Sequence, residues 1–253
     1  MKLDNVIAKR PTKTVYRDGD WAVKVFDGQY SAADVLNEAF NLAVVADTGF
    51  PVPQLKEVMK TDGRWAIVYR HIEGVSLWEL MEGDPENAEK YLSKMADIQL
   101  DINDCTAKRL RHHTDKMHMK ISACKDIGLE QDARYELHNR LNGMPKHAKL
   151  CHGDFTPGNV IITPEGKPFV IDWAHATQGN ASADAARTYL RFTLSGHVPY
   201  AEMYLDLFCQ KTCTEKRYVQ KWLSVVAASQ LVKNVPQERE LLMKWANVVE
   251  FQG

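Results

Sequence analysis

The chain has 253 residues and a mass of 28.8 kDa, with 45% hydrophobic and 26% charged residues, an ordinary globular composition long enough for one large domain or two lobes. Its 32 Lys and Arg against 33 Asp and Glu give a formal net charge of -1, so no global basic field recruits nucleic acid or an anionic membrane. Charged residues interrupt the start MKLDNVIAKR where a signal peptide needs an apolar run, no stretch approaches the roughly 18 apolar residues of a membrane span, and the five cysteines form no C-x-x-C, so a cytoplasmic chain without disulfides is expected.

In chain order, residues 6–8, 14–17 and 21–26 read as strands, the last two joined by an Asp18-Gly19 turn. Alternation in Trp21–Phe26 puts Lys24 on the face opposite Val23 and Val25. A lysine there is costly to bury unless its ammonium meets an anion, and position alone leaves open whether it does or lies in solvent. Ser31 to Asp34 forms a plausible cap for a helix carrying Leu36, Phe40 and Ala43 at helical spacing and ending at Gly49 and Pro51; Glu38 lies within it. Residues 54–60 and 64–70 flank a Thr61-Asp62-Gly63 turn and complete an antiparallel sheet. The pattern breaks at Ile72-Glu73-Gly74, and Ser76 with Glu79 opens a short helix as a capping box.

From Asp84-Pro85 the chain reads as helical to about Asp104, then over 114–127 and 129–141. Asp97, Asp101 and Asp104 form an acidic stripe, either an attraction for a cationic substrate or, the favoured reading, a solvated helix face. His112, His113 and His118, with Cys105 and Cys124, match no familiar metal spacing and are read the same way. After the segment 150–176, helices are expected over 182–194, 199–211, 214–233 and 237–249.

The chemistry is concentrated in Leu150–Ala176, LCHGDFTPGNVIITPEGKPFVIDWAHA. A polar turn HGDFTPGN is followed by strand Val160–Ile162, a Pro-Glu-Gly turn and strand Phe169–Ile171 running to Asp172. Asp154 sits on an irregular turn where a carboxylate can face a substrate. A hairpin can bring the Asn159 amide oxygen to the Asp172 carboxylate, a donor pair suited to Mg²⁺ with water and phosphate completing its shell. Phosphoryl transfer asks for this order: an aspartate for the acceptor hydroxyl, then an Asn and a second Asp for the metal.

H-G-D-x-x-x-x-N followed by I-D-W resembles the aminoglycoside phosphotransferase and choline kinase-like family, small-molecule kinases with the protein-kinase fold. The resemblance implies an α+β fold with an antiparallel-sheet N-lobe, residues 1–73, and a mostly helical C-lobe, residues 74–253. It implies ATP or GTP as phosphate donor, Mg²⁺ on Asn159 and Asp172, and Asp154 as the catalytic acceptor of the hydroxyl proton. A-V-K at Ala22–Lys24 followed by a helix with Glu38 resembles the kinase Lys–Glu pair, Lys24 holding phosphates and Glu38 holding Lys24. Backbone groups of Arg70 and Ile72, at the lobe hinge, would receive the adenine. His152 takes the place of the kinase H-R-D histidine, and Asp184, in a D-x-A-R-like stretch, supports the turn from beneath. The loop 9–13 departs from the protein-kinase pattern in having no glycine, leaving Thr12, Lys13 and backbone amides to cover the phosphates.

The expected partner is a small-molecule hydroxyl acceptor, aminoglycoside-like first and choline-like or another metabolite alcohol next. Beyond Gly196 the six acids and seven bases show no acidic excess for a polycation. Trp173, Tyr200, Tyr204, Tyr218, Trp222 and Trp245 are either core or an aromatic box for a quaternary amine. A protein kinase is disfavoured by the missing glycine loop, D-F-G and A-P-E. A nucleotide-binding pseudoenzyme or interaction module is disfavoured by the complete set Lys24, Glu38, Asp154, Asn159 and Asp172.

Overall fold

A computed structural model describes residues 3–247. The chain divides into two compact units, one formed by the chain up to Gly83 with Pro157–Ala176, the other by Asp84–Thr156 with the chain from Thr177 onward. The division falls later than residue 73 and is not a single cut. Val75–Ser76 pairs with Val160–Ile162, and a Cβ added at Gly74 would collide with the Ile162 carbonyl, so backbone pairing draws both segments into the first unit.

The elements run β1 (Val6–Arg10), β2 (Lys13–Asp18), β3 (Trp21–Phe26), α1 (Ala32–Ala46), β4 (Leu55–Thr61), β5 (Arg64–Arg70), β6 (Val75–Ser76) and α2 (Leu77–Gly83). The helices α3 (Ala88–Asp104), α4 (His113–Ala123) and α5 (Gln131–Gly143) follow, then β7 (Lys149–Cys151), β8 (Val160–Ile162), β9 (Pro168–Val170) and β10 (Thr177–Gly179). The chain continues with α6 (Ala181–Leu194), α7 (Val198–Thr212), α8 (Lys216–Gln220), α9 (Leu223–Leu231) and α10 (Arg239–Ala246).

In the first unit a five-stranded antiparallel sheet has the order β1-β2-β3-β5-β4. Strand β3 is central, and its alternation sorts two apolar clusters onto opposite faces. Val23 and Val25 meet Ala66 and Val68 on one; Phe26 and Ile67 meet Val35 and Ala39 of α1 on the other. Each buried aliphatic side chain contributes roughly 1.5–3 kcal/mol. Helix α1 starts where expected because Ser31 and Asp34 close a reciprocal capping box. Ser76 and Glu79 make the same arrangement before α2.

In the second unit α3 packs on α7, and α6 and α4 pack on α9. The expected helix over 214–233 is two helices. Trp222 is fully buried with its ring edge-on to His113 at 5.3 Å, and its amide tightens onto the Val219 carbonyl, which interrupts the α pattern. The last expected helix ends at Ala246, and residues 248 and 249 lie outside the described residues. His113 corrects the solvated-face reading of the histidine patch: it is buried, and its Nδ1 accepts from the Asn180 amide at 3.0 Å. Asp97 and Asp104 fit that reading, lying in solvent and pairing with Lys211 and Lys149. No helix of the described residues is long and apolar enough to cross a membrane.

Candidate active site

Lys24 faces α1 from β3 and is 4% exposed. Its ammonium meets the Glu38 carboxylate and lies 2.8 Å from Asp172 Oδ1. Burial favours loss of its proton, but Asp172 and Glu38 outweigh burial, and the ammonium is held well above its ordinary range. This settles the alternative left open by the alternation: the lysine is inside and paired. One buried cation between two carboxylates leaves an excess of negative charge that a second cation can share.

Lys13, the first residue of β2, supplies one, its Nζ 3.4 Å from Asp172 Oδ2. Burial and then repulsion from Lys24 lower its pKa. The glycine-free turn thus places a basic side chain where a glycine loop would offer amides, whereas the Thr12 hydroxyl lies 3.4 Å from the Tyr30 hydroxyl. Lys13, Lys24, Glu38, Asn159, Asp172 and Tyr69 line one pocket of the first unit. Burial raises the Tyr69 pKa to about 12, so its phenol remains protonated.

Asn159 and Asp172 come from the two ends of the β8–β9 hairpin, as its spacing implied, and the Ile171 amide donates to the Asn159 carbonyl at 2.9 Å. Asp172 has left-handed backbone, φ 64° and ψ 58°, so the expected strand stops short of it and the chain turns there. No group of three or more His, Cys, Asp or Glu suited to a metal occurs among the described residues. A carboxylate and a carboxamide lining one pocket still fit Mg²⁺, which keeps waters and phosphate oxygens for most of its shell and needs few protein ligands.

Asp154 belongs to the second unit. Its turn is held from beneath by Asp184, whose two carboxylate oxygens accept the His152 and Gly153 amides at 3.0 and 2.7 Å. Gly153 has φ +78°, a left-handed conformation that a side chain would strain. The Asp154 amide donates to His152 Nδ1 at 3.2 Å, and the buried imidazole packs near Phe155. Gln99 of α3 also donates to Asp184 and receives the Tyr204 hydroxyl hydrogen bond. Asp184, 4% exposed, therefore supports the turn without reaching its outer face.

The Asp154 carboxylate lies 3.2 Å from Arg191 Nε and 3.9 Å from an Arg187 nitrogen, both on α6. Neither arginine is among the site residues read from the motifs. Arg187 is the arginine of the D-x-A-R-like stretch, and a spacing of four puts Arg191 on the same helix face one turn further on. The expected hinge residues stand less clearly. The Arg70 amide is already donated to the Gln54 carbonyl at 2.8 Å, its side chain pairs with Asp20, and neither Arg70 nor Ile72 is in the lining of the Lys24 pocket. Of the aromatics considered for a box, Trp173, Tyr204 and Trp222 are fully buried core.

Residues 12–222 match the sequence profile of the phosphotransferase enzyme family. No curated protein matches by sequence. Among solved structures, a thermostable mutant of the aminoglycoside phosphotransferase APH(4)-Ia is 16% identical with a TM-score of 0.70, covering 96% of this chain and 90% of that one. A further variant of the same enzyme, in a ternary complex with ADP and hygromycin B, is 14% identical with a TM-score of 0.69 over 96% of this chain and 90% of that one. Choline kinase LicA from Streptococcus pneumoniae is 15% identical with a TM-score of 0.63, covering 96% of this chain and 93% of that one. At these identities the likeness establishes the fold, the α+β protein-kinase-like fold expected from the motifs.

Proposed function

Because the chain belongs to the phosphotransferase enzyme family, we propose that it transfers the γ-phosphate of ATP or GTP to a hydroxyl of a small molecule. The observation that carries this reading is Lys24, buried between Glu38 and Asp172 in a pocket that Asn159 also lines. A permanently charged ammonium fixed by two carboxylates is preorganised for phosphate oxygens and needs no rearrangement when charge develops on them. Lys13, paired with Asp172, adds a second cation to the same pocket. Bound nucleotide in the similar structures, ADP beside hygromycin B, supports a nucleoside triphosphate as donor.

Asn159 and Asp172 are the residues that would hold Mg²⁺, which supplies charge neutralisation on the β- and γ-phosphates. The acceptor oxygen attacks the γ-phosphorus, the bond to the β–γ bridging oxygen breaks, and the proton of the acceptor hydroxyl goes to Asp154. Products are the phosphorylated acceptor and the nucleoside diphosphate. Asp154 is fit for this task because Asp184 and His152 fix its backbone while its carboxylate stays partly exposed. Positioning of this kind accounts for most of what a phosphotransferase contributes, since little covalent chemistry is asked of the protein.

The test is acceptor-dependent release of ADP or GDP across a panel of amino sugars, choline, homoserine, nucleosides and sugar phosphates, with the phosphorylated product identified by mass. Release with at least one small acceptor is expected. Phosphate found only on protein, or no acceptor-dependent release with any of these, would defeat the small-molecule reading.

A further inference from the structure

The β1–β2 hairpin turns through Pro11 and Thr12, and its register sets Arg10 directly opposite Lys13. Residues opposite one another on an antiparallel pair send their side chains to the same face, and like charges placed so repel. Both residues line the pocket that Lys24, Asn159 and Asp172 also line, and all five belong to the first unit. A hairpin end that carries two cations into a phosphate pocket is arranged for an anion, not for its own stability.

Lys13 and Lys24 are held differently. Lys24 is buried and has Glu38 as well as Asp172, so it keeps a carboxylate when Asp172 is engaged elsewhere. Lys13 is more open, and among the described residues the acid within ion-pair distance of its ammonium is Asp172, with Oδ2 at 3.4 Å and Oδ1 at 3.5 Å. A charge-assisted hydrogen bond runs at about 2.7–2.9 Å. The Lys24 contact with Asp172, at 2.8 Å, is therefore tight, and the Lys13 contact is loose. Lys13 and a divalent cation also compete for the same carboxylate, because two cations on one Asp172 repel and a small dication draws the oxygens to about 2.0–2.1 Å.

We propose that Lys13 is a tethered cation that guards Asp172 in the nucleotide-free chain and passes to the terminal phosphate of the nucleoside triphosphate when that phosphate arrives with its divalent cation. This rests on the phosphotransferase reading and adds to it a residue that binds the donor and makes metal binding depend on it. The hairpin has no glycine whose amides could cover a phosphate, and an ammonium supplies a compact charge on a flexible stem in their place. Its move is short, because a cation at Asp172 keeps phosphate oxygens in its shell and so brings them alongside Lys13. Metal without nucleotide meets a carboxylate already neutralised. Triphosphate is told from diphosphate by the group that Lys13 receives.

Mn²⁺, followed by the electron paramagnetic resonance signal of the free ion, is titrated into the full chain without nucleotide, for the parent, Lys13→Gln, Lys13→Arg, and Lys13→Gln combined with Asp172→Asn. Lys13→Gln is expected to bind Mn²⁺ about threefold or more tightly than the parent, the effect of removing one partly exposed ion pair. Lys13→Arg should stay near the parent, and the double variant should lose the gain. Calorimetry in excess Mg²⁺ then gives the preference for ATP over ADP, and for GTP over GDP. Lys13→Gln should lose on the order of tenfold in that preference, as for one charge-assisted contact, and Lys13→Arg should keep it. Mn²⁺ bound no more tightly by Lys13→Gln, a gain that survives Asp172→Asn, an unchanged preference for triphosphate, or Lys13→Arg behaving as Lys13→Gln would each overturn the proposal. Both shifts in a chain that phosphorylates no acceptor would sustain the role of Lys13 and defeat the transferase reading. Acceptor-dependent release of ADP or GDP by a chain that shows neither shift would do the reverse.

Discussion

Replacing Asp184 with Asn isolates what holds the catalytic turn. The native carboxylate accepts the His152 amide at 3.0 Å and the Gly153 amide at 2.7 Å, with Gln99 at 3.3 Å, in a site 4% exposed. An Asn side chain keeps one acceptor oxygen and turns an NH₂ toward the other amide, so one charge-assisted hydrogen bond, worth about 1.5–3 kcal/mol, is lost and a buried N–H left unsatisfied at about 1–3 kcal/mol. Allowing for relaxation, the expected loss is about 3–5 kcal/mol, which for a chain of this size lowers Tm by about 6–20 °C. Thermal and urea melts measure that loss. At a temperature where the variant is still folded, kcat should also fall at least tenfold while MgATP affinity stays at the parent value, because Lys24, Asn159 and Asp172 belong to the other unit. A variant melting within 2 °C of the parent with unchanged kcat would refute the support assigned to Asp184.

Three further outcomes are expected. Lys24→Ala leaves Glu38 and Asp172 without their shared cation and should raise the nucleotide KM at least tenfold; an unchanged KM removes Lys24 from phosphate binding. Asn159→Ala and Asp172→Ala should each weaken MgATP or MgGTP binding and blunt its Mg²⁺ dependence, read by titration at several metal concentrations; if both variants keep the parent affinity, the metal is held elsewhere. Stability should rise with pH between about 7 and 10 through Lys116, Lys120 and Lys233. Their folded-state pKa values are depressed to about 8, 7 and 8, so over this window the unfolded chain binds more protons than the native one and the slope of unfolding free energy with pH is positive. Lys24, whose pKa is raised, remains protonated in both states across that window and opposes the trend only above it. Urea midpoints at pH 7 and 9.5 test the sign: the parent should gain more than the Lys116→Gln, Lys120→Gln variant, and equal gains would contradict the assignment.

Where function depends on local chemistry, the sequence was legible. The capping pairs Ser31–Asp34 and Ser76–Glu79, the turn around Gly63 and the apolar alternation of Trp21–Phe26 each encode their own element, and the structure follows them closely. The motif order of Asn159 and Asp172 marked the hairpin because β8 and β9 pair across a short turn, whereas the Asp154 turn also rests on the distant Asp184. What depends on distant partners was hidden. The fate of Lys24 hangs on Glu38 and on Asp172, 148 residues away. The break at Trp222 arises from its burial against His113, and α9 carries no helical stripe to mark its ends because nearly all its residues are buried. The arginines beside Asp154 sit on α6, and counting charge beyond Gly196 alone could not register Arg187 or Arg191.

The role of Asp154 is where the account is most exposed. Single-turnover transfer from γ-labelled ATP or GTP to the acceptor found in the panel, compared between the parent and Asp154→Ala, measures it directly. A loss of about 10²–10⁴-fold in the transfer rate with nucleotide affinity unchanged is predicted, the range expected for removing a positioned proton acceptor. Transfer within a few-fold of the parent rate, in a variant that still binds nucleotide, would contradict the assignment of Asp154 and with it the mechanism built on the turn.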